Sequence, residues 1–246
     1  MTAPKRLLVT RPAEDAEPLA AALRGLGAEV AVEPLLEIIP RPGPPLDLAG
    51  VQAVLMTSAN GARAFAARNR DRALKVLAVG DASAREARAL GFADVESASG
   101  DVAALAALCR ARLDPQKGTV LHVAGSHVAG DLAGLLKDAG FSCRREMLYE
   151  SRAVDALSAA TAAALRDGTL DGVLFFSPRT AESFVVLAGR AGLADSLGRL
   201  TAFCLSSQVA DKARAASWGK IVVARSPDQD SLLRAIGAEQ GPERGS

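Results

Sequence analysis

The chain has 246 residues, enough for one large α/β domain or two of ordinary size, and 49% of them are hydrophobic, ample for buried cores. Lys and Arg total 29 against 28 Asp and Glu, so the net charge of +1 lacks the basic excess that tracks a nucleic-acid backbone. With 4% aromatic residues, including one Trp and one Tyr, base-stacking platforms and aromatic sugar-binding surfaces have little to be built from.

The opening segment, MTAPKRLLVTRP, has no apolar stretch of the signal-peptide kind. Beyond it, short apolar runs of strand length alternate with Ala/Leu-rich helical stretches, which predicts an α/β fold with mainly parallel strands. Strands are expected to begin near Leu7, Val30, Ala53, Val76, Val120, Ser142, Gly172, Thr201 and Ile221. Between them, AEPLAAALRGLG and SAREARALGF space apolar residues by three and four, and Gly27, Gly91 and Gly140 fall where helix C-caps sit. The polar, Gly-rich tail from about Gly237 is expected to fray. No apolar run approaches the roughly 18 residues that span a bilayer, so a soluble cytoplasmic protein is expected.

An internal duplication organises these elements. Residues 6–38 align without a gap onto 119–151, matching Leu8 with Leu121, Leu19 with Leu132, Leu23 with Leu136, Gly27 with Gly140 and Glu37 with Glu150. A second block beginning at Ala53, AVLMTSANGARAF, repeats as GVLFFSPRTAESF from Gly172. The order A, B, A′, B′ leaves open whether each A block pairs with its neighbouring or its distant B block. Strand length favours the distant one. The second strand of each A block, about Ala28 to Ile39 and Phe141 to Arg152, would span roughly 40 Å, long enough to leave one domain and enter another. The expected domains are therefore 1–37 plus 152–246, and 38–151. An antiparallel two-stranded hinge would join them at about 34–39 and 147–152.

In such sheets ligands bind outside the carboxyl ends of the strands. The turns there begin at Thr10, Thr57, Val79, Val123, Phe176 and Leu205, and they carry small hydroxyl or glycine residues at helix N-termini, where free N–H groups favour an anion. Ser58, Ser177 and Ser207 also read as plain N-caps, with Pro178 at the first helical position. GSHVAGD at Gly125 lacks the Lys and hydroxyl of a phosphate loop, and Gly25-Leu26-Gly27 follows a helix, so neither is a nucleotide fingerprint. The cysteines Cys109, Cys143 and Cys204 read as core fillers in a reducing compartment. With His122 and His127 they form no zinc set, and no metal is expected. His122 reads as structural within a strand, and His127 either as opening the following helix, where it could meet the cleft, or, as the favoured reading, as a solvated turn residue. Tyr149 could donate a proton to a leaving group, although an amphipathic side chain packed at a domain boundary is the reading its residues favour; Arg11 and Arg179 could pair with carboxylates, although a salt bridge to a neighbouring acid explains each equally well.

VTRP, LGAEV, EPLLEI, VLMTSANGARAF, VLAVGDASA, VLFFSPRTAESF and LSSQVADKARA, in that order from about Arg6 to Ile236, resemble the uroporphyrinogen-III synthase family. The resemblance implies two α/β domains on a β-ladder. It also implies a cofactor-free hydro-lyase that cyclises the linear tetrapyrrole hydroxymethylbilane, an eight-fold carboxylate, to uroporphyrinogen III with inversion of the D ring. Tyr149 matches the family's tyrosine proposed to assist loss of the hydroxyl. Ser58 and Asn60, Gly80 and Ser83, Gly125, Ser177, and Ser206 with Ser207 match turns implied to bind substrate. Ala124 stands beside Gly125 where many relatives carry Arg. The resemblance further implies a monomer in transient contact with the bilane-producing enzyme, and no nucleic-acid or membrane partner. An inactive anionic-ligand binding or sensor protein of the same fold is the alternative, and a nucleotide-sugar transferase the third reading.

Overall fold

Each of the nine expected strand starts opens a strand in the computed structural model, which describes residues 5–128 and 130–238. In chain order the elements are β1 (Arg6–Val9), α1 (Ala13–Gly25), β2 (Glu29–Val32), β3 (Leu36–Pro40), β4 (Val51–Met56), α2 (Ala59–Arg68), β5 (Val76–Ala78), α3 (Asp81–Ala89), β6 (Val95–Ser97) and α4 (Val102–Arg112). The chain continues through β7 (Thr119–Gly125), α5 (Leu132–Asp138), β8 (Cys143–Ala153), α6 (Ala159–Asp167) and β9 (Gly172–Phe175). It ends with α7 (Pro178–Arg190), β10 (Thr201–Cys204), α8 (Ser207–Ala213), β11 (Lys220–Val223) and α9 (Gln229–Ala238). Gly27, Gly91 and Gly140 follow α1, α3 and α5 with φ of 84°, 94° and 83°, the left-handed conformation that ends a helix. Gly237 and Ala238 close α9, and the rest of the tail expected to fray lies outside the described residues, as do the first four residues of the opening segment.

The chain divides into two compact units, Met1–Glu37 with Ala153–Ser246, and Ile38–Arg152. The discontinuous unit holds a five-stranded sheet in the order β11-β10-β9-β1-β2, parallel throughout. Its strands are apolar on both faces because helices cover both. Leu8, Val173, Phe175, Ala202 and Cys204 pack with Phe184 and Leu187 of α7, while Leu7, Val9, Leu174 and Phe203 pack with Leu19 and Leu23 of α1 and Leu232 of α9.

The continuous unit belongs to a six-stranded sheet, β3-β8-β7-β4-β5-β6, whose pairings from β8 to β6 are parallel. Val54, Met56, Leu121 and Val123 pack on Phe65 of α2, and Leu55, Leu77 and Val120 on Leu105 of α4 and Leu136 of α5. Set β3 aside and the two sheets share one plan. β2-β1-β9-β10-β11 and β8-β7-β4-β5-β6 both place the first strand of an A block beside the first strand of a B block. The duplication is thus built as A with B′ and B with A′. Leu8 and Leu121 are fully buried at equivalent places in β1 and β7, as are Leu23 and Leu136 in α1 and α5.

The strand expected from Ala28 to Ile39 is corrected: it is two strands, β2 and β3, in different sheets. Pro34 has no N–H to give a ladder, and the backbone on either side bonds back to β1, Glu33 N to Val9 O at 2.9 Å and Leu35 N to Thr10 O at 3.5 Å. The Glu33 side chain is buried as well. Its carboxylate accepts from Ser158 N at 2.8 Å, Ser158 Oγ at 2.6 Å and Thr161 Oγ1 at 2.7 Å at the start of α6. The second long strand, by contrast, is one strand of 11 residues, β8. β6 lacks any alternation to announce it, with Val95 its one apolar residue.

Candidate functional site

Strand order changes direction between β1 and β9 in one sheet and between β7 and β4 in the other, and the carboxyl ends of those strands are where an open α/β sheet receives a ligand. In the continuous unit, β4 runs into Ser58, an extended residue with φ −159° and ψ 157° whose Oγ accepts from Gly61 N at 3.0 Å and so caps α2. The same Oγ lies 2.8 Å from the hydroxyl of Tyr149. Tyr149 stands opposite Gly125 in the β7–β8 register, just past an irregularity at Ala124. A Cβ on Gly125 would come within 2.5 Å of the Tyr149 ring, so glycine is the residue that lets the ring lie there. Ser126 N donates to Tyr149 O at 3.1 Å, and Ser126 Oγ accepts from Ser151 N at 3.0 Å, fixing β8 to the β7 turn on that side.

Burial raises the pKa of Tyr149, with the Ser58 bond opposing it, so the phenol is held protonated well above neutrality. It can therefore hydrogen-bond to, or protonate, an oxygen placed beside it. One residue back from Ser58, Thr57 Oγ1 lies 3.3 Å from Nε2 of His122. His122 is buried in β7, and desolvation, helped by the charge of Arg145, pushes its pKa down to about 4, leaving a neutral imidazole. His122 is thus a strand residue as expected. His127 is the solvated turn residue of the two readings offered: it is exposed in the turn before α5, with Nδ1 3.0 Å from Ser126 Oγ, and Asp131 caps that helix.

Asn60 sits in the first turn of α2, where its amide oxygen accepts from Arg63 Nη1 at 2.8 Å; Arg63 in turn makes two bonds to Glu86, at 2.9 and 3.1 Å. Gly80 caps α3 and Ser83 is buried in its first turn. That helix end carries its own anion. Asp81 is held below the ordinary carboxylate range by hydrogen bonds from Ser97 and Ser99, so it already occupies the favourable field of the α3 N-terminus.

In the discontinuous unit, Thr10 is fully buried and donates to Leu174 O at 2.7 Å, locking the end of β1 to β9. Arg11 lies over the Phe176 ring at 4.6 Å, donates to Gln229 Oε1 at 3.2 Å and is 3.7 Å from Asp15. Ser177 caps α7, accepting from Thr180 N at 3.2 Å, with Pro178 at the first helical position. Arg179 follows in the same turn, and burial lowers its pKa from the ordinary arginine value. Both arginines carry other interactions within the molecule. Ser206, and not Ser207, caps α8, accepting from Val209 N at 3.4 Å; Ser207 is exposed as the first helical residue.

The site residues thus fall into two sets, Ser58, Asn60, Gly80, Ser83, Gly125 and Tyr149 on one unit and Arg11, Ser177, Arg179, Ser206 and Ser207 on the other. Ser58, Gly125 and Tyr149 are brought into direct contact. Missed from sequence were the Thr57–His122 pair, the Ser126 clamp and Arg145, whose Nη2 donates to Gly125 O at 3.0 Å. Only the register of β7 against β8 places Arg145, and no motif marks it. Among the described residues no group of His, Cys, Asp and Glu could hold a metal ion, and no helix is long and apolar enough to cross a membrane.

Residues 17–234 match the family model described as uroporphyrinogen-III synthase HemD. A mutant uroporphyrinogen III synthase of the extremely thermophilic bacterium Thermus thermophilus is 17% identical, with 96% of this chain and 97% of that one covered and a TM-score of 0.58. The uroporphyrinogen-III synthetase of Helicobacter pylori 26695 is 14% identical, with 96% and 100% covered and a TM-score of 0.62. These likenesses show a common α/β fold with mostly parallel sheets. A search of curated protein sequences found no match.

Proposed function

The chain belongs to the uroporphyrinogen-III synthase family, and from that premise we propose that it converts hydroxymethylbilane to uroporphyrinogen III in tetrapyrrole biosynthesis, by a cofactor-free cyclisation that inverts the D ring and releases water. The observation that carries the chemistry is the Tyr149–Ser58 pair at the end of β4 and β7. The pyrrole nitrogen pushes out the terminal hydroxyl of the substrate, and Tyr149 gives that leaving oxygen its proton, so that water departs. The carbon left behind is an azafulvenium cation. The D ring attacks that cation through the α-carbon that already carries its bridge to ring C, giving a spiro intermediate. The old bridge-to-D bond then breaks, leaving a second azafulvenium cation on ring C; the other α-carbon of the D ring adds to that bridge carbon, and the proton this α-carbon loses as the pyrrole regains aromaticity returns to the Tyr149 oxygen. Ser58 orients the phenol and hydrogen-bonds the transient phenolate.

Electron-rich pyrroles drive the bond changes, so the protein chiefly folds and orients the chain. We assign that task to the capped turns: Ser58, Asn60, Gly125, Ser177, Ser206 and Ser207, with Gly80 and Ser83, and with Arg11 and Arg179 as cations. Backbone N–H groups at the helix starts carry most of the carboxylate binding. On this reading the chain crosses between units on an antiparallel hinge of β3 and β8. Arg41 N bonded to Leu148 O at 2.8 Å and Val154 N to Leu35 O at 3.2 Å support it. The enzyme is further taken as a cytoplasmic monomer that receives its unstable substrate by transient contact with the bilane-producing enzyme.

The test supplies freshly generated hydroxymethylbilane without metal or cofactor, oxidises the products and separates the uroporphyrin isomers. Isomer III in excess over the spontaneous isomer I is the expected result. Isomer I alone from folded protein would leave an anionic-ligand binding protein of the same fold.

A further inference from the structure

A polycarboxylate held mainly by backbone N–H groups gains further from positive charge that is not already spent on the protein's own acids. Near the β4 and β7 strand ends the candidates are few. Arg63 is engaged by both oxygens of Glu86 and by Asn60, and His122 is neutral. Arg145 is different. It stands opposite His122 in the β7–β8 register, is exposed, and makes one hydrogen bond, Nη2 to Gly125 O at 3.0 Å; no carboxylate of the described residues pairs with it. The neighbouring acid, Glu146, is instead 3.6 Å from Arg144.

That one bond ties the guanidinium to the residue on which the Tyr149 ring rests. A guanidinium has five N–H donors in a fixed planar fork, so a single bond to a carbonyl orients the group and leaves an edge for a second, two-pronged partner. Exposure keeps the desolvation cost of pairing small. The charge of Arg145 also helps keep His122 neutral, which leaves the guanidinium as the cation of this cluster.

We propose that Arg145 is a substrate-binding residue, pairing through its free edge with a carboxylate of the tetrapyrrole beside Tyr149. The proposal rests on the substrate class named under the proposed function. Arg145→Gln removes the charge and keeps a polar side chain, whereas Arg145→Lys keeps the charge and loses the fork. With hydroxymethylbilane, R145Q is expected to raise KM about tenfold while kcat and the share of isomer III stay within about twofold of the parent, and R145K to fall between. Added salt should raise the parent's KM more steeply than that of R145Q, a difference a purely structural role would not produce. Unchanged KM in folded R145Q, or a loss confined to kcat, overturns the proposal. If the parent itself yields isomer I alone, the synthase reading fails separately, and binding of uroporphyrin I followed by fluorescence decides: weaker binding by R145Q sustains the carboxylate contact, and equal binding, or none by either protein, removes it.

Discussion

The Tyr149 ring occupies the space that a side chain on Gly125 would need, with Cε2, Cζ and the hydroxyl at 2.5, 2.6 and 2.9 Å from an added Cβ. An aromatic ring does not bend away as a lysine would. Gly125→Ala should therefore displace Tyr149 from Ser58, costing about 1–3 kcal/mol of stability by overpacking and lowering kcat more than KM. Thermal melts and steady-state kinetics on one preparation check this, and a variant with normal melting and normal kcat would show that the ring position does not matter.

Removing the phenol oxygen separates packing from proton transfer. Tyr149→Phe keeps the ring against Gly125, so the fold should hold, while kcat should drop about 10²-fold, the lower range for a lost general acid. Because Tyr149 is the single tyrosine, its phenolate absorbance titrates without interference. Burial sets its folded pKa above the ordinary value of about 10, so the folded state holds the proton that the unfolded state gives up. The associated stability is complete below about pH 10 and is lost as pH rises through the folded value. Ser58→Ala removes the bond that opposes burial, and should move the spectroscopic pKa further up besides costing about 1 kcal/mol as a lost N-cap.

Much of the fold is legible in the sequence because parallel strands buried on both faces read as unbroken apolar runs, such as Val54-Leu55-Met56 and Val173-Leu174-Phe175. β6 has no such run. The break at Pro34 is harder to see because it depends on what Glu33 reaches, and Ser158 and Thr161 are 125 and 128 residues away. The site divides in the same way. Ser58, Ser177 and Tyr149 announce themselves by a local turn or by rarity, whereas Arg145, His122 and Thr57 gain their meaning only from the register of β4, β7 and β8.

His122 should make the protein acid-sensitive in a defined window. Its folded pKa of about 4, against the ordinary 6.5, means that the unfolded chain binds the proton first. Stability is then full above about pH 6.5 and falls by on the order of 3 kcal/mol as pH drops to about 4, after which this contribution is flat. Denaturant melts across that range should show the slope, and His122→Gln should flatten it. An equal slope in the variant would assign the acid sensitivity elsewhere.

Glu33 offers a test of how independently the two units hold together. Its carboxylate satisfies three donors at the start of α6, and Glu33→Ala strands all three, at an expected cost of about 3 kcal/mol; Glu33→Gln, which keeps one acceptor oxygen, should cost less. All these groups lie in the discontinuous unit, and so does Trp218, the single tryptophan, packed edge-on against Phe175 and stacked on Phe184 with its Nε1 donating to Ala213 O at 2.8 Å. Tyr149 lies in the other unit. Trp218 fluorescence and Tyr149 absorbance therefore report the two units separately in one denaturation experiment. Glu33→Ala should move the Trp218 transition to lower denaturant and leave the Tyr149 transition closer to the parent's. Coincident shifts of both probes would show that the units unfold as one cooperative body.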